Sequence, residues 1–315
     1  MTFIWQNYSK DYKTSWNEFV SSCKNACFLF YRDYMEYHKD RFQDASMVCL
    51  DEKGTVICIF PANISGTTVY SHQGLTFGGL FFEHGTTLRN QHEILNSLIT
   101  TLKTKGYEKL IIKPIPSAFH AVANDDLTFL LSSTSAQVYR RDLNLVIHSG
   151  STPNVQERRV RGAKKAMKAG IVIKASTNYT DYWEKVLIPV LKERHGVAPT
   201  HSLSEIEDLS RRFPNDISLL GAFLENEIVA GILTYNYPQV THAQYIGANN
   251  IGKDLSALDL LCTVLIDKTK SIHKHLSFGI ATENEGKSVN WGLLEWKMGF
   301  GAQTVCHEHF TLVFN

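Results

Sequence analysis

The chain has 315 residues, 32 Lys and Arg against 31 Asp and Glu, a formal net charge of +1, and 43% hydrophobic residues. This composition excludes an intrinsically disordered chain, and a charge near zero excludes a surface coated throughout with cations for nucleic acid. The length exceeds the roughly 250–300 residues at which a single core stops growing, so two domains are expected. In chain order, the pattern predicts a strand over 45–50, a turn over 51–54, strands over 55–63 and 67–72, and a loop holding Gly74, Gly78 and Gly79. A helix over 87–105 follows, with Leu88, Gln91, Leu95, Leu98, Ile99 and Leu102 on one face and Gly106 as its stop, and then a strand over 109–113.

The second half repeats the series. Strands are predicted over 218–224, 227–235 and 242–248, then a loop over 249–254, a helix to Ser271 and a strand over 276–280. In the helix Leu258, Leu261, Leu265 and Ile266 face inward. Matched elements are offset by roughly 165–174 residues, counted from Leu50 to Leu224 and from Leu110 to Leu276. Such an offset signals a duplicated domain, because solenoid repeats recur at about 20–50 residues. The expected division is a first domain over 1–148, a linker with a basic helix over 149–174, and a second domain over 175–315.

The linker opens on Ser149-Gly150-Ser151-Thr152-Pro153. From Glu157 to Lys174 there are seven Lys or Arg and one Glu, a local charge of +6 that leaves −5 for the rest of the chain. Arg158, Arg161, Lys165 and Lys168 fall at helical spacing on one stripe, a candidate contact for a phosphate-bearing partner and otherwise a solvated helix face. The longest apolar runs, such as residues 26–31, fall far short of the roughly 20 residues that span a bilayer, so no membrane span is expected. The first residues lack the basic and long apolar segments of a secretory leader. Cys23, Cys27, Cys49, Cys58, Cys262 and Cys306 are scattered without a disulfide framework, which reads as reduced thiols in a cytoplasm. Nothing in the pattern sets an oligomeric state.

Several strings resemble one superfamily. They are residues 157–173, His201-Ser202-Leu203, Gly221-Ala222-Phe223, Val229-Ala230-Gly231, His242-Ala243-Gln244-Tyr245-Ile246 and Leu258-Asp259-Leu260-Leu261. Phe278-Gly279-Ile280-Ala281-Thr282-Glu283, Asn290, Gly292-Leu293 and Lys297-Met298-Gly299-Phe300-Gly301 complete the set. Together they resemble the tandem Gcn5-related N-acetyltransferase (GNAT) fold of FemAB-like proteins. The first half matches by element order, with Ser71-His72-Gln73-Gly74 as its string. The resemblance implies an α+β fold of two tandem GNAT-like domains, each a mixed, mostly antiparallel sheet with splayed central strands flanked by helices. It implies an acyltransferase of cell-envelope or polysaccharide synthesis, passing an acyl group from a thioester such as acyl-CoA or acetyl-CoA to an amino-sugar or peptide acceptor. The alternatives are an aminoacyl-tRNA donor, as in FemAB enzymes, and a binding protein without catalysis.

In the resembled fold the donor enters between the splayed strands and its pyrophosphate rests on the following loop. This assigns Ile246, Gly247, Ala248, Asn249, Asn250, Gly252 and Lys253 to donor binding. The family loop reads Gln/Arg-x-x-Gly-x-Gly/Ala; here only Gly252 remains, and Asp254 adds a negative charge, which favours the tRNA alternative. His242 is a candidate proton acceptor because its reference pKa lies near neutrality. Alternation puts His242 and Gln244 on one face of their strand and Tyr245 on the other. Tyr245 is a candidate donor to the tetrahedral intermediate, and Glu283, just after a strand, a candidate base. Asn290 and Lys297 fall seven apart on a helix predicted over 288–298, where Lys297 would hold an anionic group. His195 and His201, on a loop between helices, are acceptor-binding candidates, with His72 and Gln73 of the 71–79 loop. Each of these residues also reads as ordinary core or surface.

Two patterns are set aside. Residues 281–288 match a relaxed phosphate loop, but Glu283 and Glu285 would repel phosphate and only 27 residues follow. His307 and His309 share a strand face without the ligands to close a zinc site, so no metal is expected.

Overall fold

Residues 3–23 and 25–314 are described by a computed structural model, and they fall into two units. The first comprises Met1–Asp142, Glu285–Lys287 and Cys306–Asn315; the second comprises Leu143–Asn284 and Ser288–Val305.

In the first unit, strands Ile4–Asn7, Met47–Leu50, Val56–Phe60 and Phe81–Phe82 form an antiparallel sheet in that order. The helix Leu88–Thr104 starts where the Thr87 hydroxyl accepts the Asn90 N–H, a standard N-cap. It buries Ile94, Leu95, Leu98 and Leu102 in one cluster with Cys49, Cys58, Phe60 and Leu110. Gln91, the polar exception on the expected apolar face, is buried too and donates to Thr86 O and Asp126 Oδ2. The strand expected over 55–63 is broken at Pro61, which has no N–H to give a ladder, into Val56–Phe60 and Asn63–Ser65.

The third strand of this unit is also split. Thr68–Tyr70 runs parallel to Lys109–Ile112, with Thr68↔Lys109, Val69↔Leu110 and Tyr70↔Ile111. The Ser71 N–H still donates to the Ile111 carbonyl and the Gly78 N–H to the Lys113 carbonyl; the chain between them loops out and returns as Phe81–Phe82, paired with Ile59 and Cys58.

In the second unit, Ile171–Ser176, Ile217–Leu224, Glu227–Asn236 and Val240–Ala248 pair antiparallel in that order. His275–Ile280 follows in parallel, and the end of strand Gln137–Ile147 lies antiparallel to it. The helix Ala257–Ser271 covers one face, where Leu261, Cys262, Leu265 and Ile266 share a core with Ala222, Ala230, Ile232 and Ala243.

The segment 149–174 is not a linker. Its helix, Glu157–Lys168, belongs to the second unit and adds Ala163 and Ala166 to that core. A Cβ on Gly162 would sit 1.9 Å from Asp259 Oδ2, so any larger residue there would displace the Asp259 carboxylate from its place against the helix. Arg159, outside the expected stripe, donates to Asp259 Oδ1 at 2.9 Å, and Lys165 donates to the Asp254 carbonyl at 2.6 Å. The last strand, Gln303–Val313, also departs from the expected division: Phe310↔Ile112 to Val313↔Lys109 places its end in the first unit.

Candidate functional site

A wedge opens in the sheet of the second unit. The strands Val240–Ala248 and His275–Ile280 pair at Val240↔His275, Thr241↔Leu276 and His242↔Ser277, and no further. Both flanking strands carry an extra residue there. Opposite Glu227–Asn236, the register passes from Thr234↔Ala243 to Leu233↔Tyr245, leaving Gln244 as the bulge. Opposite Gln137–Ile147, it passes from Ser277↔Val146 to Ile280↔Asn144, and Gly279 adopts φ +75° within that slip, a conformation open to glycine. Bulges bend a strand and increase its twist, and two of them turn these strands apart.

Lys297 reaches this wedge from the helix Trp291–Met298. Its Nζ donates to the carbonyls of Gly279 at 3.1 Å and Ile280 at 2.7 Å. The residue is 4% exposed, and burial pushes its pKa down from 10.5 to about 7, so ammonium and amine coexist near neutrality. His242 also borders Gly279: its Cε1 would lie 3.5 Å, and Lys297 Nζ 4.0 Å, from a Cβ built there. The Ser277 hydroxyl donates to Asn144 Oδ1 and accepts the Gly279 N–H. With that proton committed, His242 Nδ1, 2.9 Å from Ser277 Oγ, is the donor, and its lone pair lies on Nε2. Burial, with the Lys297 charge added, lowers the His242 pKa to about 3. His242 is therefore a neutral hydrogen-bonding group at pH 7 and a poorer base than its reference pKa suggested.

The bulge at Gln244 also overturns the expected facing. Opposed residues on antiparallel strands share a face; His242 opposes Tyr235 and Tyr245 opposes Leu233, two positions apart on the neighbour. His242 and Tyr245 thus lie on one face. The same face holds His201, whose Nδ1 is 2.7 Å from Tyr245 OH and whose Nε2 is 3.3 Å from Tyr235 OH. Trp183, in a π-helical turn over Trp183–Leu187, donates its indole N–H to the His201 carbonyl. His201 was expected on an open loop but is buried, and Ser202 beside it caps the helix Leu203–Arg212 with a full capping box. Burial raises the Tyr245 pKa, so its hydroxyl stays protonated at neutral pH.

Ile246, Gly247 and Ala248 line the outer part of the wedge strand, still paired to Ile232, Gly231 and Ala230. The loop expected over 249–254 is instead the short helix Asn250–Asp254. Asn249 caps it by accepting the Gly252 N–H at 3.0 Å, which occupies a backbone donor expected to face phosphate. Gly252 is demanded by packing, since a Cβ would meet the Val229 carbonyl at 2.2 Å. Lys253 bonds Glu193 and Asn250.

Glu283 is exposed and accepts from Asn290 Nδ2 at 2.8 Å. Asn290 is not on the helix with Lys297 but is its N-cap, accepting the Leu293 N–H, because residues 288–289 form a short strand. Arg158 bonds Gln156, while Arg161, Lys164 and Lys168 are exposed. His72 and Gln73 belong to the first unit; burial lowers the His72 pKa to about 3, and Gln73 pairs with Asn63. The His195 side chain lies outside the described residues. Ser277, Asn144, Tyr235 and Trp183 were not foreseen. Only Gly279, a glycine inside a strand pattern, signalled the irregularity beside them.

A mixed sheet whose parallel central strands part over a helix-linked loop defines the class: the chain has the FemAB-like fold, a tandem form of the GNAT fold. Among solved structures it is similar to FemX, at 12% identity and a TM-score of 0.70 over 99% of this chain and 98% of that one. It is also similar to L-PGS from Bacillus licheniformis, at 12% identity and a TM-score of 0.59 over 87% and 85% of the two chains. A tandem GNAT protein from the clavulanic acid biosynthesis pathway matches at 9% identity and a TM-score of 0.52 over 99% and 98%. No family profile and no curated protein matches the chain. No helix among the described residues is long and apolar enough to cross a membrane.

Proposed function

We propose that the chain is an acyltransferase whose reaction takes place at the wedge of the second unit. The observation that carries this reading is Lys297, a buried amine with a pKa of about 7 held at the parted end of two strands. The acceptor nitrogen or oxygen attacks the carbonyl carbon of an activated acyl group. A C–N or C–O bond forms, the donor's C–S or C–O bond breaks, and the proton lost by the nucleophile passes to the departing thiol or alcohol. A group poised near neutrality suits both halves of that proton transfer. As ammonium, Lys297 also stabilises the oxyanion, alongside backbone groups of residues 243–248 that have no parallel partner. His242 acts as a neutral hydrogen-bonding neighbour. The resemblance to FemAB-like proteins points to an amino-sugar or peptide-amine acceptor from envelope or polysaccharide synthesis, with acyl-CoA or acetyl-CoA as donor.

One observation favours a second donor, aminoacyl-tRNA. The short helix Asn250–Asp254 uses its Gly252 N–H internally, which weakens the place for a coenzyme pyrophosphate, and Arg161, Lys164 and Lys168 offer exposed cations. The similarity to FemX supports the same choice.

The test incubates the full chain with amino-sugar and peptide-amine acceptors and either acetyl-CoA or charged tRNA, with products read by mass spectrometry. Acceptor acylation that disappears in Lys297→Met supports the reading. Undiminished product from Lys297→Met overturns the assignment of the wedge, and donor binding without product from any acceptor points to a binding protein. A tRNA donor is recognised by affinity that falls steeply with salt.

A further inference from the structure

The first unit has a wedge of its own. Thr68–Tyr70 follows Lys109–Ile112 for three residue pairs, as 240–242 follows 275–277 in the second unit, and the strand then continues as Phe81–Phe82 against Val56–Phe60. Beyond the point where the Gly78 N–H donates to the Lys113 carbonyl lies a pocket of about 290 Å³, roughly the lower size for a small-molecule site. It lies between residues 78–86, the first turn of Leu88–Thr104 and the chain that follows Lys109–Ile112.

Its chemistry differs from that of the second wedge. Leu80, Phe82, Pro114, Ile115 and Leu127 supply apolar walls, and among the described residues no Lys or Arg lines it; Lys24, between the lining residues Cys23 and Asn25, lies outside them. Two carboxylates do, Glu83 at the exposed rim and Asp126 further in. Asp126 Oδ2 is held by neutral amides, Gln91 Nε2 at 2.9 Å and Asn124 Nδ2 at 3.1 Å. His120, also in the lining, has its pKa lowered by burial, with the Asp125 charge and the carbonyls of Ile115 and Asn124 opposing, and adds no cation at neutral pH. A phosphate or carboxylate buried here would meet like charge from Asp126 and Glu83, which is costly. An ammonium would meet two carboxylates, and an apolar body would leave water against the walls.

We propose that this pocket is a second binding site, for a small primary amine with a compact apolar body. The site is independent of transfer at Lys297. Benzylamine is the probe, with benzoate and benzyl phosphate as controls, titrated into the full chain by calorimetry and by amide NMR shifts. Benzylamine is expected to bind and to shift Gln91 and His120, with benzoate and benzyl phosphate at least tenfold weaker. Asp126→Asn is expected to weaken benzylamine about tenfold, and Glu83→Gln, an exposed change that spares the fold, severalfold, while Lys297→Met leaves it unchanged. Absence of saturable benzylamine binding, equal binding of benzoate, or affinity indifferent to both carboxylate variants overturns the proposal.

Discussion

Replacing Lys297 by Met keeps the length of the side chain and removes its amine, and the consequence can be worked out from burial. The folded-state pKa of Lys297 is about 7 against an ordinary 10.5, a gap worth roughly 5 kcal/mol when each unit is about 1.4 kcal/mol. Between those values the unfolded chain binds the extra proton, so stability rises with pH. Below pH 7 both states are protonated and the fold bears the whole cost of a buried ammonium; above 10.5 both are neutral and the cost is gone. The unfolding free energy of Lys297→Met minus that of the wild type should therefore be most favourable to the variant near pH 7. It should then decline toward pH 10 by up to about 1.4 kcal/mol per pH unit. Leaving the Gly279 and Ile280 carbonyls without the amine costs about 1–3 kcal/mol, which moves the difference without changing its slope. Lys113, also held near 7 by burial, is present in both proteins and cancels. Urea unfolding followed by tryptophan fluorescence at pH 7, 8, 9 and 10 measures the difference. A difference flat with pH would refute the depressed pKa and, with it, the chemistry assigned to Lys297.

Arg159→Ala should destabilise the second unit by about 3 kcal/mol in urea unfolding, because Asp259, with a side chain 10% exposed, loses its cation. Arg159→Ala combined with Asp259→Leu should recover most of that loss, and an effect of the single change within about 0.5 kcal/mol would return residues 149–174 to the status of a linker. Tyr245→Phe should cost about 1–3 kcal/mol by the same measurement, since it strips the His201 ring and N–H of a shared hydroxyl; an unchanged midpoint would show that the pair does not hold this face together.

What the sequence made legible were the elements whose periodicity is undisturbed. The helix Leu88–Thr104 lies one residue inside the expected ends, and the strand His275–Ile280 starts one residue early, because apolar spacing and stop signals act locally. The wedge was legible in place but not in detail. Alternation assumes two residues per repeat, and nothing in His242-Ala243-Gln244-Tyr245 marks the one extra residue that rotates Tyr245 onto the face of His242. The basic helix showed its charge but not its partner: Arg159 meets Asp259 across 100 positions, and the stripe defined by spacing left Arg159 out. Lys297 inverted the usual rule. On its eight-residue helix Trp291 is 67% exposed while the lysine is buried, so hydrophobic patterning assigns the two the wrong way round.

The two wedges show one device carried to two ends. In each unit a strand follows its parallel neighbour for three pairs and then parts from it, so the opening arises from the backbone rather than from any side chain. In the second unit two bulges make the departure, and on the strand Val240–Ala248 the bulged residue is Gln244. That bulge both turns the strand away and re-aims the side chains beyond it, so the opening of the wedge and the convergence of His242 with Tyr245 have the same cause. Deleting Gln244 should then remove the extra residue and close the first, while Tyr245 stays opposite Leu233 and so on the face of His242. In the first unit the departure is the excursion between Ser71 and Gly78, and the pocket that follows it is lined by Asp126 and Glu83 instead of an amine. The groups at the two places differ in charge, an amine in the second unit and two carboxylates in the first, so the two are expected to take different ligands.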